Sequence, residues 1–173
     1  MTIDRKETAM EARAKLLGHA IHQMLIPYPL ALLTTAIIFD VVHLITGNPQ
    51  WATISFWLIA AGIIGGLAAA LFGVIDWTAI PRSTRAKRVG TIHGIGNVVM
   101  VGLFAVSWLM RRENPGDPST MALAVSLVGG AISLYTAWLG GELVDRMGVA
   151  VDDGANVNAP SSLSGRPARE ARL

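Results

Sequence analysis

The side chains of this sequence that can do chemistry are three histidines at the borders of apolar segments. His19 and His22 lie three residues apart in GHAIHQMLIPYP, where a charged segment gives way to a long apolar one. His93 begins a later apolar segment, in HGIGN. Imidazole is an axial ligand of haem iron and a ligand of zinc and other transition metals. These three side chains are therefore the first candidates for a metal or cofactor site.

The composition indicates a membrane protein. Of the 173 residues, 52% are hydrophobic and 15% are charged, whereas a soluble domain is about 25% charged. The chain has no cysteine, so it supplies no disulfide, thiolate ligand or iron–sulfur ligand. The net charge of +2 comes mainly from segments that flank the apolar ones. We interpret that charge as a signal of membrane orientation and expect no nucleic-acid partner.

Four apolar stretches are long enough to cross a bilayer, which requires about 20 mostly apolar residues in a helix. They cover roughly residues 25–45, 54–75, 92–110 and 121–143. Long apolar runs without strict alternation exclude a barrel, and short links make consecutive helices antiparallel neighbours. The predicted fold is all-α, an integral membrane antiparallel four-helix bundle formed by residues 23–150.

The two ends of the chain are predicted to lie outside this bundle. Residues 1–22 are expected to form an amphipathic helix in the membrane interface, because their apolar residues recur on one helical face. Pro27 and Pro29 suit a bend where this helix enters the membrane. Residues 151–173 are polar and rich in Gly, Pro and Ser, so they are expected to form a disordered cytoplasmic tail.

The distribution of Lys and Arg predicts the orientation. Basic residues are concentrated in the N-terminal segment and in the loop after the second span, whereas the first loop has none. In the loop after the third span, Arg111 and Arg112 are offset by Glu113 and Asp117. The positive-inside rule then places both termini in the cytoplasm. We expect a multi-pass protein of the bacterial inner membrane, with the lipid bilayer as its first partner.

Alternating crossings would gather several ionisable side chains at the cytoplasmic end of the bundle. Such side chains usually face the bundle interior, because exposure to hydrocarbon costs about 2.5–3.5 kcal/mol on insertion scales. We therefore predict one polar pocket of imidazoles and carboxylates at this end. Asp40 and His43 lie at the other end and are expected to form an interfacial pair. The residues predicted at the cytoplasmic end are His19, His22, Asp76, His93, Asn97, Glu142 and Asp145.

The order of motifs resembles an uncharacterised bacterial membrane family, domain of unknown function 2231. The motifs are GHAIHQMLIPYPLAL, FGVIDW, a basic loop, HGIGN and YTAWLGGELVDRMGV, over about residues 17–150. Family members typically begin with His-Pro-x-His-Pro; here His19 and His22 match both histidines and both prolines are replaced. Some relatives resemble fusions to Rieske iron–sulfur domains, which implies a link to electron transfer. The resemblance implies no established reaction.

One hypothesis is a redox cofactor, haem b, that serves electron transfer with a redox partner protein. His22 and His93 would be its axial ligands, with His19 as an alternate. Asn97 would orient them together with the nearby carboxylates, since a ligating histidine normally donates its other N–H. Basic residues after the second span would pair with the haem propionates. Those residues are Arg82, Arg85 and Arg88.

Two alternatives remain open. A non-haem site for an iron, zinc or manganese ion would use nitrogen and oxygen ligands. Its ligands would be His19, His22, His93, Asp76 and Glu142. Alternatively, pairs of His93 with Asp76 and of His22 with Glu142 would only fix helix packing in a structural or partner subunit. The sequence also leaves a homo-oligomer open, and it does not decide whether the protein is an enzyme.

Overall fold

The computed structural model of the protein describes residues 10–170, and its main elements are four long helices. Each of the four is long and apolar enough to cross a membrane. This confirms the predicted all-α four-helix bundle. The helices are α1 (Ile21–Leu25), α2 (Pro27–Thr46), α3 (Pro49–Ala79), α4 (Arg85–Met110) and α5 (Thr120–Gly141), followed by a π-helical turn (Glu142–Arg146).

The helices form a ring in chain order. α2 packs along α3, α3 along α4, and α4 along α5, while α2 also contacts α5 and closes the ring. The centre is filled by buried apolar side chains such as Leu33, Ile59 and Phe104. Gly62 lets α3 approach α2 closely, because a Cβ there would lie 2.6 Å from Leu33. Small residues at such contacts allow the backbone approach that drives helix association in lipid.

Local capping residues set the ends of these helices. The side chains of Asn48, Thr84 and Ser119 accept hydrogen bonds from the backbone N–H groups in the first turns of α3, α4 and α5. Gly47 ends α2 in a left-handed conformation, with φ of 65°. Caps of this kind satisfy N–H groups that have no partner within the helix. They keep the connections short and the neighbouring helices antiparallel.

The described part of the N-terminal segment is not the amphipathic helix that the sequence predicts. Two short antiparallel strands, β1 (Lys15–Leu16) and β2 (His19–Ala20), form a hairpin there. The turn holds Leu17 and Gly18 at positive φ, 52° and 87°, which a helix does not allow. Residues 1–9 lie outside the described residues. The turn and the hydrogen bonds from the backbone N–H groups of Arg13 and Ala14 to Asp76 of α3 favour an extended backbone over a helix.

Residues 151–170 also differ from the disordered tail that composition predicts. They form turns and two short 3₁₀ segments, Ser162–Ser164 and Ala168–Glu170. The Ser162 hydroxyl donates to the Leu17 carbonyl at 2.9 Å, so the tail contacts the hairpin. Each terminal segment is too polar to form a core of its own, but each satisfies hydrogen bonds of the other.

Charges join the same two segments. Lys15 Nζ lies 2.8 Å from a Glu11 carboxylate oxygen and 2.5 Å from an Asp152 oxygen. The hydrogen bond from Lys15 lowers the pKa of Glu11. The hydrogen bond to Asp152, followed by that to Glu11, raises the pKa of Lys15. These ion pairs are partly exposed, so they contribute little to stability one by one.

A buried ion pair connects α2 to the end of α4, far from the hairpin. Two Arg111 nitrogens, Nη1 and Nη2, donate to the two carboxylate oxygens of Asp40, both at 2.7 Å. Asp40 is 3% exposed and Arg111 is 0% exposed. We call this end of the bundle the Asp40 end and the opposite end, which carries His22 and His93, the histidine end.

Every N–H donor of the Arg111 guanidinium has an acceptor. Besides the two bonds to Asp40, it donates to the hydroxyls of Ser55, Ser107 and Ser126 at 3.1 to 3.2 Å. A guanidinium has five such donors in a planar fork, so none is left unsatisfied. We call these five residues the Asp40–Arg111 cluster. They come from all four long helices and from the residue that ends α4.

The predicted interfacial pair of Asp40 with His43 is wrong. Asp40 instead binds Arg111, and His43 Nδ1 lies 3.0 Å from the backbone oxygen of Asn48. The prediction also counted Arg111 among the charges of the loop after the third span. Its long side chain reaches back from the end of α4 into the bundle, where the carboxylate and three hydroxyls compensate the loss of water.

We predict that Arg111→Met lowers the free energy of unfolding in detergent by about 3–5 kcal/mol, because it leaves the Asp40 carboxylate buried without its partner. The measurement is denaturant or thermal unfolding of the purified protein. Arg112→Met is the matched control, since Arg112 is the adjacent exposed arginine, and it should cost less than about 1 kcal/mol. Equal losses in the two variants would contradict a special role for Arg111.

Candidate functional site

Two imidazoles meet at the histidine end of the bundle. His22 lies in α1 and His93 near the start of α4. Their ring centres are 6.5 Å apart and the ring planes are perpendicular. Both side chains are half-buried. α1 leads directly into α2, with the break at Ile26 just before Pro27, so the two rings approach each other across the bundle.

The same nitrogen of each ring is anchored to the backbone of a third and a fourth helix. His22 Nδ1 lies 2.8 Å from the Ala69 carbonyl oxygen of α3. His93 Nδ1 lies 2.8 Å from the Thr136 carbonyl oxygen of α5. A carbonyl oxygen only accepts hydrogen bonds, so Nδ1 carries the proton in both rings. In the neutral form of each ring, the lone pair is then on Nε2.

Asn97 extends the site from His93 to α5. Its Nδ2 lies 3.1 Å from His93 Nε2 and 3.0 Å from the His93 carbonyl oxygen. Its Oδ1 accepts a hydrogen bond from the buried Thr136 hydroxyl at 3.0 Å. Thr136 therefore fixes which way the amide points, and both its hydroxyl and its carbonyl serve the site.

Glycines make room for both rings. A Cβ at Gly73 of α3 would lie 2.9 Å from two atoms of the His22 ring, closer than unbonded carbon atoms pack. A Cβ at Gly140 of α5 would lie 3.2 Å from His93 Cε1. The imidazoles thus lie directly against helix backbone on two sides.

The structure brings together only part of the predicted pocket. His22, His93 and Asn97 are neighbours. His19 lies exposed in β2, and Glu142 forms an ion pair with Arg85 at 2.9 Å. The predicted pairs of His93 with Asp76 and of His22 with Glu142 are not formed. Within residues 10–170, no group of three or more His, Cys, Asp or Glu side chains is placed to hold a metal ion.

Asp76 instead holds the hairpin against α3. Its Oδ1 accepts hydrogen bonds from the backbone N–H of Arg13 at 2.7 Å and of Ala14 at 3.0 Å. The carboxylate is buried, and its Oδ2 has no hydrogen-bond partner among the described residues. The sequence pattern groups Asp76 with the histidines, because a backbone N–H from a distant segment leaves no mark in residue types.

Residue types and spacing also do not predict the contacts of Thr136, Gly73 and the Asp40–Arg111 cluster. The signal available for Thr136 was a hydroxyl one turn before Gly140 in an apolar span. For the cluster it was three serines in otherwise apolar spans, together with Asp40 and Arg111 at the same end. Polar side chains in a spanning helix mark interhelical contacts, so these positions could have been predicted to lie between helices.

We predict that Asp76→Ala speeds tryptic cleavage after Arg13 and Lys15 by roughly tenfold, because two backbone N–H groups lose a charged acceptor, at about 1–3 kcal/mol. Digestion of the detergent-solubilised protein, followed by mass spectrometry, measures this. Asp76→Asn keeps Oδ1 as an acceptor and should stay near the wild-type rate. The control is Asp145→Ala, at an exposed position. If Asp76→Ala and Asp145→Ala are cleaved at one rate, Asp76 does not hold the hairpin.

Comparison with known proteins agrees with the fold. No curated protein and no solved structure shows significant similarity to the chain. Residues 18–153 match a family described as "Predicted membrane protein (DUF2231)". The match begins just before His19 and extends beyond the π-helical turn, so it includes the four spanning helices and the histidine pair. This membrane protein of four candidate spans therefore belongs to the DUF2231 family.

Proposed function

We propose that His22 and His93 are the axial ligands of a haem b and that the protein transfers electrons in the membrane. The observation that carries this proposal is the pairing of two imidazoles from opposite sides of the bundle, each with Nδ1 bonded to a backbone carbonyl. Ligating histidines typically donate their second N–H to such an acceptor, which fixes the tautomer and the ring orientation. Helix bundles place haem ligands on facing helices.

The distance between the rings supports the proposal. A bond of about 2.0–2.1 Å joins an imidazole nitrogen to a metal ion. Two such bonds to one ion, with the distance from each nitrogen to its ring centre, give about 6 Å between ring centres. The observed 6.5 Å is close to this value.

The number of histidines favours haem over a non-haem ion. Protein sites for zinc or iron without a porphyrin normally use three or more side chains. A haem needs only axial ligands from the protein. His22 and His93 are the pair that meets among residues 10–170, and the carboxylates proposed as further ligands are engaged elsewhere.

The hydrogen bonds around the pair are compatible with such a ligand. Binding of iron at His93 Nε2 would replace the contact from Asn97, whose other contacts, to the His93 carbonyl and the Thr136 hydroxyl, remain available. When bound, a haem supplies one-electron chemistry at its iron, and the chain holds the two imidazoles in place for it.

The propionate partners suggested by the sequence receive less support. Arg85 is paired with Glu142. Arg88 lies on the face of α4 opposite His93, since five residues advance a helix by about 500°. Arg82 lines the same cavity as Arg88. We therefore do not assign the propionates to these arginines.

A structural role is the second candidate, and the same hydrogen bonds favour it. The bond of His22 to Ala69 ties α1 to α3, and that of His93 to Thr136 ties α4 to α5. Histidines used in this way would fix the packing of the histidine end without a cofactor. The two candidates differ in whether the purified protein carries a chromophore or a metal.

We extend the proposal to orientation and partners. The histidine end carries the basic loop before α4, and the positive-inside rule places such a loop in the cytoplasm. The site would then lie near the cytoplasmic face of a bacterial inner membrane, where a soluble or membrane-bound redox partner reaches it. A homo-oligomer is compatible with this arrangement.

The test is an absorption spectrum and a metal analysis of the full chain, purified in detergent from cells supplied with haem precursor. We expect a Soret band and α and β bands that sharpen on reduction, with about one iron per chain. His22→Ala and His93→Ala should each remove these bands. Stoichiometric metal without a Soret band would select the non-haem alternative instead.

His43→Ala is the matched control. Its Nδ1 also contacts a backbone carbonyl, at 3.0 Å, but it lies at the Asp40 end, away from the pair. The control should keep the full spectrum. A protein with neither chromophore nor metal supports the structural role, and a spectrum that survives both His22→Ala and His93→Ala refutes the assignment of the ligands.

A further inference from the structure

The outward face of α4 carries a basic cavity that the histidine pair does not use. It has a volume of about 390 Å³ and opens at the start of α4. We call it the α4 cavity. Three cationic side chains and three hydroxyl groups line it. They belong to Arg82, Lys87 and Arg88, and to Ser83, Thr84 and Thr91.

The α4 cavity has cations without acidic counterparts. No carboxylate is among its lining residues. Within residues 10–170, neither Arg82 nor Arg88 has a side-chain hydrogen bond or ion pair, whereas the nearby Arg85 is paired with Glu142. Two guanidinium groups in one cavity without a carboxylate make a site for an anion, and the planar guanidinium fork matches the oxygens of a phosphate group.

Lys87 is held in place beside them. Its Nζ donates to the Trp77 carbonyl at 2.6 Å and lies 3.4 Å from the centre of the Trp77 ring. The Trp77 indole N–H donates to the Thr91 hydroxyl at 3.1 Å. One cation and one hydroxyl of the cavity are thus oriented by the same tryptophan of α3. Tryptophan and lysine are typical of the border between hydrocarbon and water.

The α4 cavity is separate from the histidine pair. Thr84, Arg88 and Thr91 recur with the helical period on one side of α4, and His93 and Asn97 lie on the opposite side. A ligand in the α4 cavity therefore does not depend on a haem.

An apolar surface continues from the cavity along the same side of α4. Ile92 lines the cavity, and Ile95 and Val99 follow within two turns, with exposed fractions of 61% and 47% for the latter two. α4 is long and apolar enough to cross the membrane, so this surface faces acyl chains. A ligand with a phosphate at one end and hydrocarbon at the other matches both parts.

We propose that the α4 cavity binds the phosphate of an anionic phospholipid headgroup, with an acyl chain of that lipid along Ile92, Ile95 and Val99. Basic pockets at the membrane surface recognise anionic lipids through this combination of charge and depth. Arg82 and Arg88 bind the phosphate, and Lys87 raises the local positive potential. A free phosphate ion shares the charge but lacks the hydrocarbon.

The experiment is native mass spectrometry of the full chain in detergent, with phosphatidylglycerol and phosphatidylcholine of equal acyl length as probes. We expect the wild type to retain phosphatidylglycerol preferentially. The double variant Arg82→Gln/Arg88→Gln should lower that retention by about tenfold or more, the effect of two basic groups near an anionic lipid. Arg82→Lys/Arg88→Lys keeps both charges and should retain most of the binding.

Arg146→Gln/Arg166→Gln is the matched control. It removes the same charge from exposed positions outside the cavity, and it should bind phosphatidylglycerol like the wild type. A third arm adds inorganic phosphate at the concentration of the lipid. Equal retention of both lipids by the wild type, equal losses in the two Gln variants, or displacement of the lipid by inorganic phosphate would each overturn the proposal. The first and third of these use the wild type alone, so they decide the matter even if a variant fails to fold.

Discussion

The bidentate ion pair between Asp40 and Arg111 is the constraint on which the rest of the bundle depends. A charged side chain in the membrane must find a partner, and a guanidinium has five N–H groups to satisfy. Here one carboxylate and three serine hydroxyls meet that requirement in full. Because these groups come from four different helices, the ion pair fixes the rotation and the depth of each helix together. Shifting one helix by a single residue would turn its side chains by about 100° and leave a buried charge without a partner.

The same constraint positions the histidines. α2 and α4 lie diagonally opposite in the ring, since each packs on α3 and α5. They are joined at the Asp40 end by the ion pair. At the histidine end, α1, which leads into α2, carries His22, and α4 carries His93, so the two rings lie next to each other. Eighteen residues, or about 27 Å of helix, separate His22 from Asp40. Because helices are stiff, the register that is fixed at the Asp40 end also sets the positions of side chains at the histidine end. It therefore sets the distance between His22 and His93 without a carboxylate nearby.

Residue types and run lengths predict the fold well and the contacts poorly. Four apolar runs with short links are enough to specify four antiparallel helices, and that topology correctly gathers His22, His93 and Asn97 at one end. It does not say which partner each side chain selects. Asp76 binds backbone N–H groups next to the hairpin instead of a histidine, and Glu142 binds Arg85 instead of a histidine. The sequence pattern identifies neither of these partners. The hairpin itself was missed because periodicity favours a helix over residues 10–20, whereas the Leu17–Gly18 turn and the contact with Asp76 favour strands.

Arg111 is a second example of a residue whose contacts cannot be predicted from residue types. Counting charges by loop makes it a flanking residue, because it directly follows α4. Only the three-dimensional arrangement shows that its side chain points back among Ser55, Ser107 and Ser126.

The histidine pair and the α4 cavity occupy opposite sides of α4, so one helix presents a candidate ligand to the bundle interior and a candidate lipid site to the bilayer. Both uses require that α4 keep one rotation.

The most direct measurement is the distance between Arg111 and Asp40 in a lipid bilayer, by solid-state NMR dipolar recoupling between the ¹⁵N-labelled guanidinium and the ¹³C-labelled carboxylate. Nitrogen–oxygen contacts of 2.7 Å predict a strong Asp40–Arg111 coupling that is unchanged when the ionic strength of the surrounding buffer is raised, whereas the exposed Arg169–Asp153 pair, at 3.4 Å, should lose its coupling in salt. A weak Asp40–Arg111 coupling, or one that disappears in salt, would show two charges that face water at the membrane surface, and would contradict a buried ion pair that sets the register of the four helices.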